Sequence, residues 1–596
     1  MSAQARITSL LNQHRLWTTA GETPAVPVEM KPSSKTLGHL IDQLDGLRRR
    51  FEPRSGKRLE QLLSRISGAN INDAESLIRF HELLLFVCAY PQSTRARRLA
   101  ESLLKSFPKR IEALRDAETD LDSLEHPEVS GVAGLSVTDT FSFFIVRWLL
   151  KRHPSQMSIY WDWFEDENRL GETWPRFMPL LEDDSAVEAN IPFQDWLRAA
   201  RPRGEKDLRW LIRQFDSLNR TEKEKAELYD SQQFYVRWKP AYRATRTGMR
   251  FPVRQIFFHR EPLLRRKDVS LRAELEKSSP QLQLLSPKQG EAILDLAREA
   301  STTRYRELYG FTHGDAKRVF KTNIGRGVDI FVTGLPPEWR LPLRAYHAAL
   351  IFKNGVPVGY FEGLSLFERM ESGFNLYYQF RDGETAWLYA RLLNIFRHLL
   401  GVTAFSLDPY QIGYENEEGI ESGAFWFYRK LGFRPTQPAI RKLIAREEEK
   451  LATRAEYRTS AATLRKLAAG PMIFELDQGL VGDWDRFQVR NIGFAAQRQM
   501  AARFNGDAEK MREASTKSLK EALRIRTRSW RETELTALRD FAVVSAMIRD
   551  IDKWTKAEKQ QLVQIIQAKS GRDEARYLKL MQRHARLRQE VIRLSS

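Results

Sequence analysis

The chain has 596 residues, more than one hydrophobic core usually organises, so we expect three or four domains. Hydrophobic residues make up 42%, an ordinary share for a globular protein that can bury cores. The single cysteine, Cys88, excludes an intramolecular disulfide and a cysteine-rich zinc site. Its apolar neighbours, LLLFVCAY, predict a small buried side chain.

The apolar stretches are short. The first residues, MSAQARITSLLNQHRLW, lack the long apolar core of a secretory signal. The most apolar stretch, residues 141–150, is too short to span a bilayer and contains Arg147. We therefore expect a cytoplasmic protein that does not insert into a membrane.

The net charge of +19 is concentrated in two segments. Residues 231–280 hold 12 Lys and Arg against 4 Asp and Glu, and residues 501–596 hold 22 against 13. Such clusters can attract nucleic acid, an acidic membrane or a phosphorylated cofactor. Arginine-rich helical surfaces without any partner are the alternative.

In chain order, residues 1–35 are predicted to be a flexible lead-in with several prolines. Residues 36–280 are predicted to be mainly helical, because apolar residues recur at intervals of three and four. Asp73 and Asn72 are candidate helix caps. Six tryptophans between Trp148 and Trp210 favour an aromatic core over a ligand pocket.

From residue 281 the pattern changes to mixed α/β. SPKQGEAILDLAREA and DAKRVFKTNIG predict short helices, and AYHAALIFKNG, VPVGYFEGLSLF and FNLYYQF predict strands. Lys353-Asn354-Gly355 predicts a turn between the first two strands. A helix closed by Gly401, the strand VTAFSLDPY and a helix around Tyr428 follow. Residues 446–596 are predicted to be mainly helical and basic, with MIFELDQGLVGDW as a possible short strand. The fold class is therefore multidomain α plus α/β, with a mixed α/β domain at 281–445.

The segment 423–435, GAFWFYRKLGFRP, carries a specific pattern. Ala424, Phe425 and Phe427 precede Tyr428, and Gly432 can end the helix in a left-handed conformation before Phe433. This string and the element order of 281–445 resemble the GNAT superfamily of acyl-CoA N-acyltransferases. Glu421 departs from the pattern, since the family often has Asn there.

The resemblance implies a coenzyme A loop after FNLYYQF, where backbone N–H groups at a helix N-terminus hold the diphosphate. In this chain the loop comprises Gln379, Phe380, Arg381, Asp382, Gly383, Glu384, Thr385 and Ala386. Arg381 and Ala386 fit the family pattern. Glu384 replaces the central glycine, and Gly383 sits one position early. Two acids near a diphosphate are unfavourable, and only Arg381 offsets them locally.

The same resemblance assigns Tyr428 as the acid that protonates the leaving thiolate. An attacking amine also needs a base. Glu362 and Asp408 are the two candidates. Four further acids, Glu415, Glu417, Glu418 and Glu421, follow Asp408 and favour a cationic acceptor such as a polyamine, lysine or aminoglycoside. The sequence has no HExxH, P-loop or GxSxG motif, and no metal is expected.

The leading hypothesis is an N-acyltransferase that moves an acyl group, acetyl first, from acyl-CoA to an amine of a small molecule or protein. The second is a degenerate scaffold of this fold in a nucleic-acid-binding or assembly protein, through segments 231–280 and 501–596. The third is an aminoacyl-tRNA-dependent transferase.

Overall fold

The computed structural model describes residues 32–127, 129–164, 170, 173–178 and 192–595. Residues 1–31 of the predicted lead-in lie outside this range. The chain forms two compact units. The first contains the described residues up to Pro262 together with Ala292–Thr312 and Asn354–Pro357. The second contains Leu263–Glu291, His313–Lys353 and the described residues from Val358 onward.

Helices supply most of the regular structure in the described residues. They are α1 (Pro32–Arg48), α2 (Pro53–Ser67), α3 (Ala74–Ala89), α4 (Thr94–Lys105), α5 (Phe107–Asp116), α6 (Phe143–Arg152), α7 (Phe193–Ala200), α8 (Asp207–Ser217), α9 (Glu222–Gln232), α10 (Leu271–Glu276), α11 (Pro287–Thr302), α12 (Tyr309–Thr312), α13 (Thr385–Leu400), α14 (Glu417–Glu421), α15 (Ala424–Arg429), α16 (Pro438–Thr453), α17 (Ala461–Leu467), α18 (Val489–Phe504), α19 (Ala508–Leu523), α20 (Glu532–Ser545), α21 (Lys556–Lys569), α22 (Glu574–Gln582) and α23 (Ala585–Ser595). None of them is long and apolar enough to cross a membrane.

The strands form two sheets. They are β1 (Val137–Asp139), β2 (Met157–Ile159), β3 (Val236–Trp238), β4 (Gln283–Leu284), β5 (Phe320–Asn323), β6 (Val328–Thr333), β7 (Ala345–Lys353), β8 (Val356–Leu366), β9 (Arg369–Leu376), β10 (Ala404–Leu407), β11 (Arg434–Pro435) and β12 (Met472–Glu475). The small sheet has the order β1-β3-β2, and the large one has the order β11-β12-β10-β9-β8-β7-β6-β5-β4.

The first unit buries an aromatic core. Trp174, Trp210 and Trp238 are buried there, and Trp148 and Trp161 pack against them. The prediction that the tryptophans from Trp148 to Trp210 pack into a core is therefore confirmed for Trp148, Trp161, Trp174 and Trp210, whereas Trp163 is exposed. Cys88 is buried and unpaired, as predicted.

The predicted cap of α3 is also confirmed. The Asp73 carboxylate accepts a hydrogen bond from the Ser76 backbone N–H at 2.7 Å. It thereby satisfies one of the amides that have no partner within the helix.

In the large sheet, local signals set the boundaries of the central elements. The turn between β7 and β8 uses Asn354 and Gly355, whose φ angles of 49° and 82° are both positive, as a two-residue hairpin requires. Helix α13 ends at Gly401, which has a φ of 78°. These elements and β8 match the sequence predictions.

Two sequence predictions in this sheet are wrong, one in the type of element and one in where a strand ends. The segment DAKRVFKTNIG does not form an amphipathic helix, because Phe320–Asn323 pairs antiparallel with the fully buried strand β6. The apolar spacing suits a helix, but strand pairing outweighs that local preference. The predicted strand FNLYYQF stops at Leu376, and Tyr378–Phe380 forms a 3₁₀ turn instead.

Candidate active site

The parallel strands β9 and β10 separate along their length. They pair only from Arg369↔Ala404 to Glu371↔Ser406. Beyond this point β9 continues to Leu376, paired with β8 alone, while β10 ends at Leu407. The sheet therefore opens between the carboxyl halves of two neighbouring parallel strands.

Small polar side chains occupy the point of separation. The Ser372 hydroxyl donates to the Ser406 carbonyl at 3.3 Å and shares a hydrogen bond of 2.9 Å with the Tyr389 hydroxyl of α13. Gly373, the next residue, lies close to the Gln411 side chain, since a Cβ added to it would come within 3.6 Å of Nε2. The walls of the opening are thus partly polar.

Helix α13 begins beside this opening. The first amide bonded within the helix is that of Leu388, which donates to the Glu384 carbonyl at 2.9 Å. Among the described residues, the N–H groups of residues 385–387 have no acceptor, and Glu384 does not cap the helix with its side chain. Such amides and the helix dipole favour an anion.

Glu384 is turned away from solvent and is neutralised. Its side chain is 1% exposed and pairs with Lys353 Nζ at 3.2 Å and with Arg326 Nη2 at 2.5 Å. It also accepts the Leu264 backbone N–H at 3.3 Å. Burial lowers the pKa of Lys353 to about 8, although the Glu384 carboxylate acts in the opposite direction. The expectation that only Arg381 offsets the loop acids is therefore wrong for Glu384.

The rest of the loop is partly committed to internal contacts. Gln379 and Phe380 are buried, and Ala386 is buried at the start of α13. Arg381 donates from Nε to the Leu376 carbonyl at 3.2 Å and forms an ion pair with Glu418. The Thr385 hydroxyl donates to the Arg381 carbonyl at 2.8 Å, while Asp382 is exposed.

The acids after Asp408 do not form one group of free charges. Glu417 binds Arg465 at 2.7 Å, and Glu418 binds Arg381. Glu415 and Glu421 are exposed. Two of the four carboxylates are therefore already paired with arginine, which weakens the prediction of a cationic acceptor drawn from all four.

Tyr428, near the C-terminal end of α15, lies in an aromatic cluster. It is 4% exposed, and its ring contacts those of Tyr389 and Phe433 at centroid distances of 5.4 and 5.8 Å. Burial raises the pKa of its hydroxyl, and the Arg381 charge offsets part of this rise. The raised pKa keeps this hydroxyl protonated at neutral pH, and it is free to donate because it forms no hydrogen bond within the described residues.

Glu362 lies on the sheet face opposite α13. Phe361 stacks on Phe396 of α13 at 4.9 Å, and consecutive strand residues point to opposite faces. Glu362 pairs in register with Gly373, at the edge of the opening. Burial raises the pKa of its carboxyl, and the hydrogen bond donated by the Tyr346 hydroxyl offsets part of this effect. A raised pKa suits a group that exchanges protons near neutral pH.

Asp408 follows β10 and is exposed, and its carboxylate accepts the Tyr410 backbone N–H at 2.9 Å. The pKa of Asp408 is raised because the surrounding protein removes part of the hydration of its carboxyl. The negative charge of Glu371 raises this pKa further. Burial also opposes ionisation of Glu371, but Arg344 at 3.5 Å and Arg369 at 3.4 Å outweigh it and lower the pKa of that carboxyl.

The structure thus brings both candidate bases to the face of β7–β10 that lies opposite α13. It also adds residues that sequence reasoning missed: Arg326, Lys353, Tyr346 and Glu371. The position of Lys353 at the end of the apolar strand AYHAALIFK could have predicted its role, because a buried lysine requires an acidic partner. Nothing local in the sequence signals the other three.

A small cavity of about 40 Å³ lies elsewhere in the second unit, lined by His347, Val332, Leu399 and Glu574 among others. It is not the opening between β9 and β10. Among the described residues, no group of three His, Cys, Asp or Glu side chains is placed to hold a metal ion.

Compared with known proteins, the chain matches no family model, no curated protein and no solved structure.

Proposed function

We propose that the chain is an acyl-CoA-dependent N-acyltransferase that moves an acyl group, acetyl first, to an amine. The observation that carries the proposal is the opening between β9 and β10, with α13 starting at its edge. The chain order of β7, β8, β9, α13, β10 and α15, with β9 and β10 parallel, supports the element order that the GNAT resemblance implies.

The loop residues suit a diphosphate through their backbone. The amides of residues 385–387 would hold it, because they have no acceptor among the described residues. Glu384 does not repel it, since Lys353 and Arg326 already neutralise that carboxylate. Arg381 contributes less than the sequence predicts, because Glu418 binds its guanidinium.

Two groups on different elements would carry out the proton transfers, one as the base and one as the acid. Glu362, with its raised pKa, is the better base, since it is partly buried and oriented by Tyr346, whereas Asp408 is exposed. Tyr428 is the acid for the leaving thiolate, because its hydroxyl has no competing acceptor in the described part of the chain. Direct attack of the amine on the thioester needs both steps.

The first experiment is calorimetry of the purified protein with acetyl-CoA and with longer acyl-CoA species. We expect binding of at least one of them. Absence of binding to all of them would refute the proposal, whatever the acceptor is.

The second experiment tests the role of Tyr428. Coenzyme A release is measured with a thiol reagent in the presence of a panel of amines. We expect Tyr428→Phe to lower turnover by about 10²-fold or more while binding changes little, since the hydroxyl acts only in the reaction. Tyr414→Phe is the matched control, because it removes the same atom from a residue that is 44% exposed. Equal turnover in the two variants would remove Tyr428 from the acid role.

A further inference from the structure

Helix α18 is unusually exposed for a helix of 16 residues. Ile492 is its one residue that is buried in the structure. Phe494, two positions further, is 57% exposed, more than any other large hydrophobic side chain that the structure leaves in solvent. An apolar ring held in water on an ordered helix indicates a contact surface.

Five of the exposed residues of α18 share one side of the helix. At 100° per residue, positions 490, 493, 494, 497 and 498 fall within about 140° of one another. All five residues, Arg490, Gly493, Phe494, Gln497 and Arg498, are exposed. A side chain added at Gly493 would meet nothing within 4 Å, so the surface is open. We call these five residues the Phe494 face.

The charge of α18 is of one sign. Its sequence, VRNIGFAAQRQMAARF, contains three arginines and no acidic residue. On the next helix, α19, the exposed cations Lys510 and Arg512 are paired with Asp507 and Glu509, each at 3.2 Å. Arg498, in contrast, forms no ion pair within the described residues. The Phe494 face thus carries positive charge that the described chain does not neutralise.

Arg490, at one end of the Phe494 face, acts electrostatically on Asp408 of the candidate active site. Loss of hydration raises the pKa of Asp408, and the Arg490 charge is among the influences that lower it.

We propose that the Phe494 face binds single-stranded nucleic acid, with Arg490 and Arg498 contacting phosphates and Phe494 stacking on a base. Interleaved arginine and aromatic side chains are the chemistry that such strands recognise. A duplex fits less well, because its bases are already stacked and cannot cover the phenyl ring. An anionic membrane also fits less well, since amphipathic helices that lie on lipid present several large apolar residues and this face presents one.

The test uses the full-length protein and fluorescence anisotropy with a labelled oligoadenylate of about 12 nucleotides, as RNA and as DNA. A duplex of the same length and vesicles of anionic phospholipid are run in parallel, at about 50 and about 200 mM salt. We expect the single strand to bind more tightly than the duplex, and binding to weaken steeply with salt. The two sugar forms establish which nucleic acid is preferred.

Variants at open positions keep the fold intact. Gly493→Glu should weaken binding, whereas Gly493→Gln should not, because only the first adds a negative charge and both residues favour a helix over glycine. Phe494→Ala should lower affinity at least about fivefold. Arg498→Gln should reduce the slope of log affinity against log salt by about 1. The control Lys510→Gln/Arg512→Gln removes two cations that are already paired and should change affinity less than Arg498→Gln alone.

Three results would overturn the proposal. The first is the absence of binding to the oligonucleotide at low salt, and the second is binding to vesicles but not to the oligonucleotide. The third is that the wild type, Gly493→Glu and Phe494→Ala all bind with the same affinity. The measurement involves no acyl-CoA, so its outcome is independent of the proposed enzymatic activity.

Discussion

Replacing Glu384 by glutamine tests the buried charge cluster at the start of α13. The substitution keeps the shape of the side chain and an acceptor for the Leu264 amide, but it removes the negative charge. Lys353 is 0% exposed and would lose the carboxylate with which it forms an ion pair. Arg326, at 23% exposed, keeps part of its hydration.

The magnitude follows from the pKa of Lys353. Burial lowers that pKa from 10.5 to about 8 even with Glu384 in place. This difference corresponds to roughly 3 kcal/mol, at about 1.4 kcal/mol per pH unit. Without the carboxylate the pKa falls further. Lower basicity of Lys353 accounts for about 1.4 kcal/mol of loss at pH 7, because the amine then deprotonates. Removal of one partner of a buried pair costs about 3–5 kcal/mol in all, and we expect a loss of that order for Glu384→Gln near pH 7.

The loss should depend on pH in a defined direction. The pKa of Lys353 is lower in the folded than in the unfolded chain, so the unfolded chain binds more protons between about pH 8 and 10.5, and stability rises with pH there. In the variant this rise begins at a lower pH. By about pH 9 Lys353 is largely neutral in both proteins, so the gap between them should narrow by about 1 kcal/mol or more.

The assay is urea unfolding at about pH 7 and about pH 9, followed by tryptophan fluorescence, with hydrogen exchange of the Leu388 amide as a local readout. Glu418→Gln is the matched control, since Glu418 and Arg381 are 43% and 34% exposed and such a pair contributes about 1 kcal/mol or less. Lys353→Met combined with Glu384→Gln should recover part of the loss. A Glu384→Gln protein as stable as the control variant, or a gap that does not change with pH, would refute the reasoning.

Two further predictions concern buried titratable groups. Burial lowers the pKa of His347 to about 4, so the unfolded chain binds more protons between about pH 4 and 6.5 and stability falls as pH falls through that range. In urea titrations His347→Leu should lose up to about 3 kcal/mol of that acid sensitivity, and an unchanged pH dependence would contradict this. Burial raises the pKa of Glu307 to about 7, so the folded chain holds its proton above the ordinary 4.5 and stability falls as pH rises from about 4.5 to 7. Glu307→Gln keeps an acceptor for the Ser142 amide and should be the more stable protein at about pH 8 but not at about pH 5, and the opposite order would count against burial as the cause.

Local signals in the sequence predicted local structure well. Asp73, Gly401 and the Asn354-Gly355 turn act through neighbours a few residues away, and the structure confirms all three. The strand 472–475 was visible as an apolar run. Its place between β10 and β11 was not, because that pairing depends on segments far apart in the chain. The same limit explains why DAKRVFKTNIG was predicted to be a helix: the partner of Phe320 is Val332, on a strand that the local pattern does not contain.

The loop of the candidate site shows that the local sequence does not reveal which charges pair with one another in the fold. The sequence places Glu384 where the family pattern has glycine. It predicted that Arg381 is the only nearby positive charge that offsets this acid. The structure pairs them differently. Arg326 and Lys353 neutralise Glu384, and Glu418 neutralises Arg381. Because Glu384 and Arg381 already have internal partners, the proposed recognition of a diphosphate there would depend on the amides of residues 385–387 and on the dipole of α13. An ion-paired loop also holds those amides in a fixed direction, which favours a ligand that fits them without rearrangement.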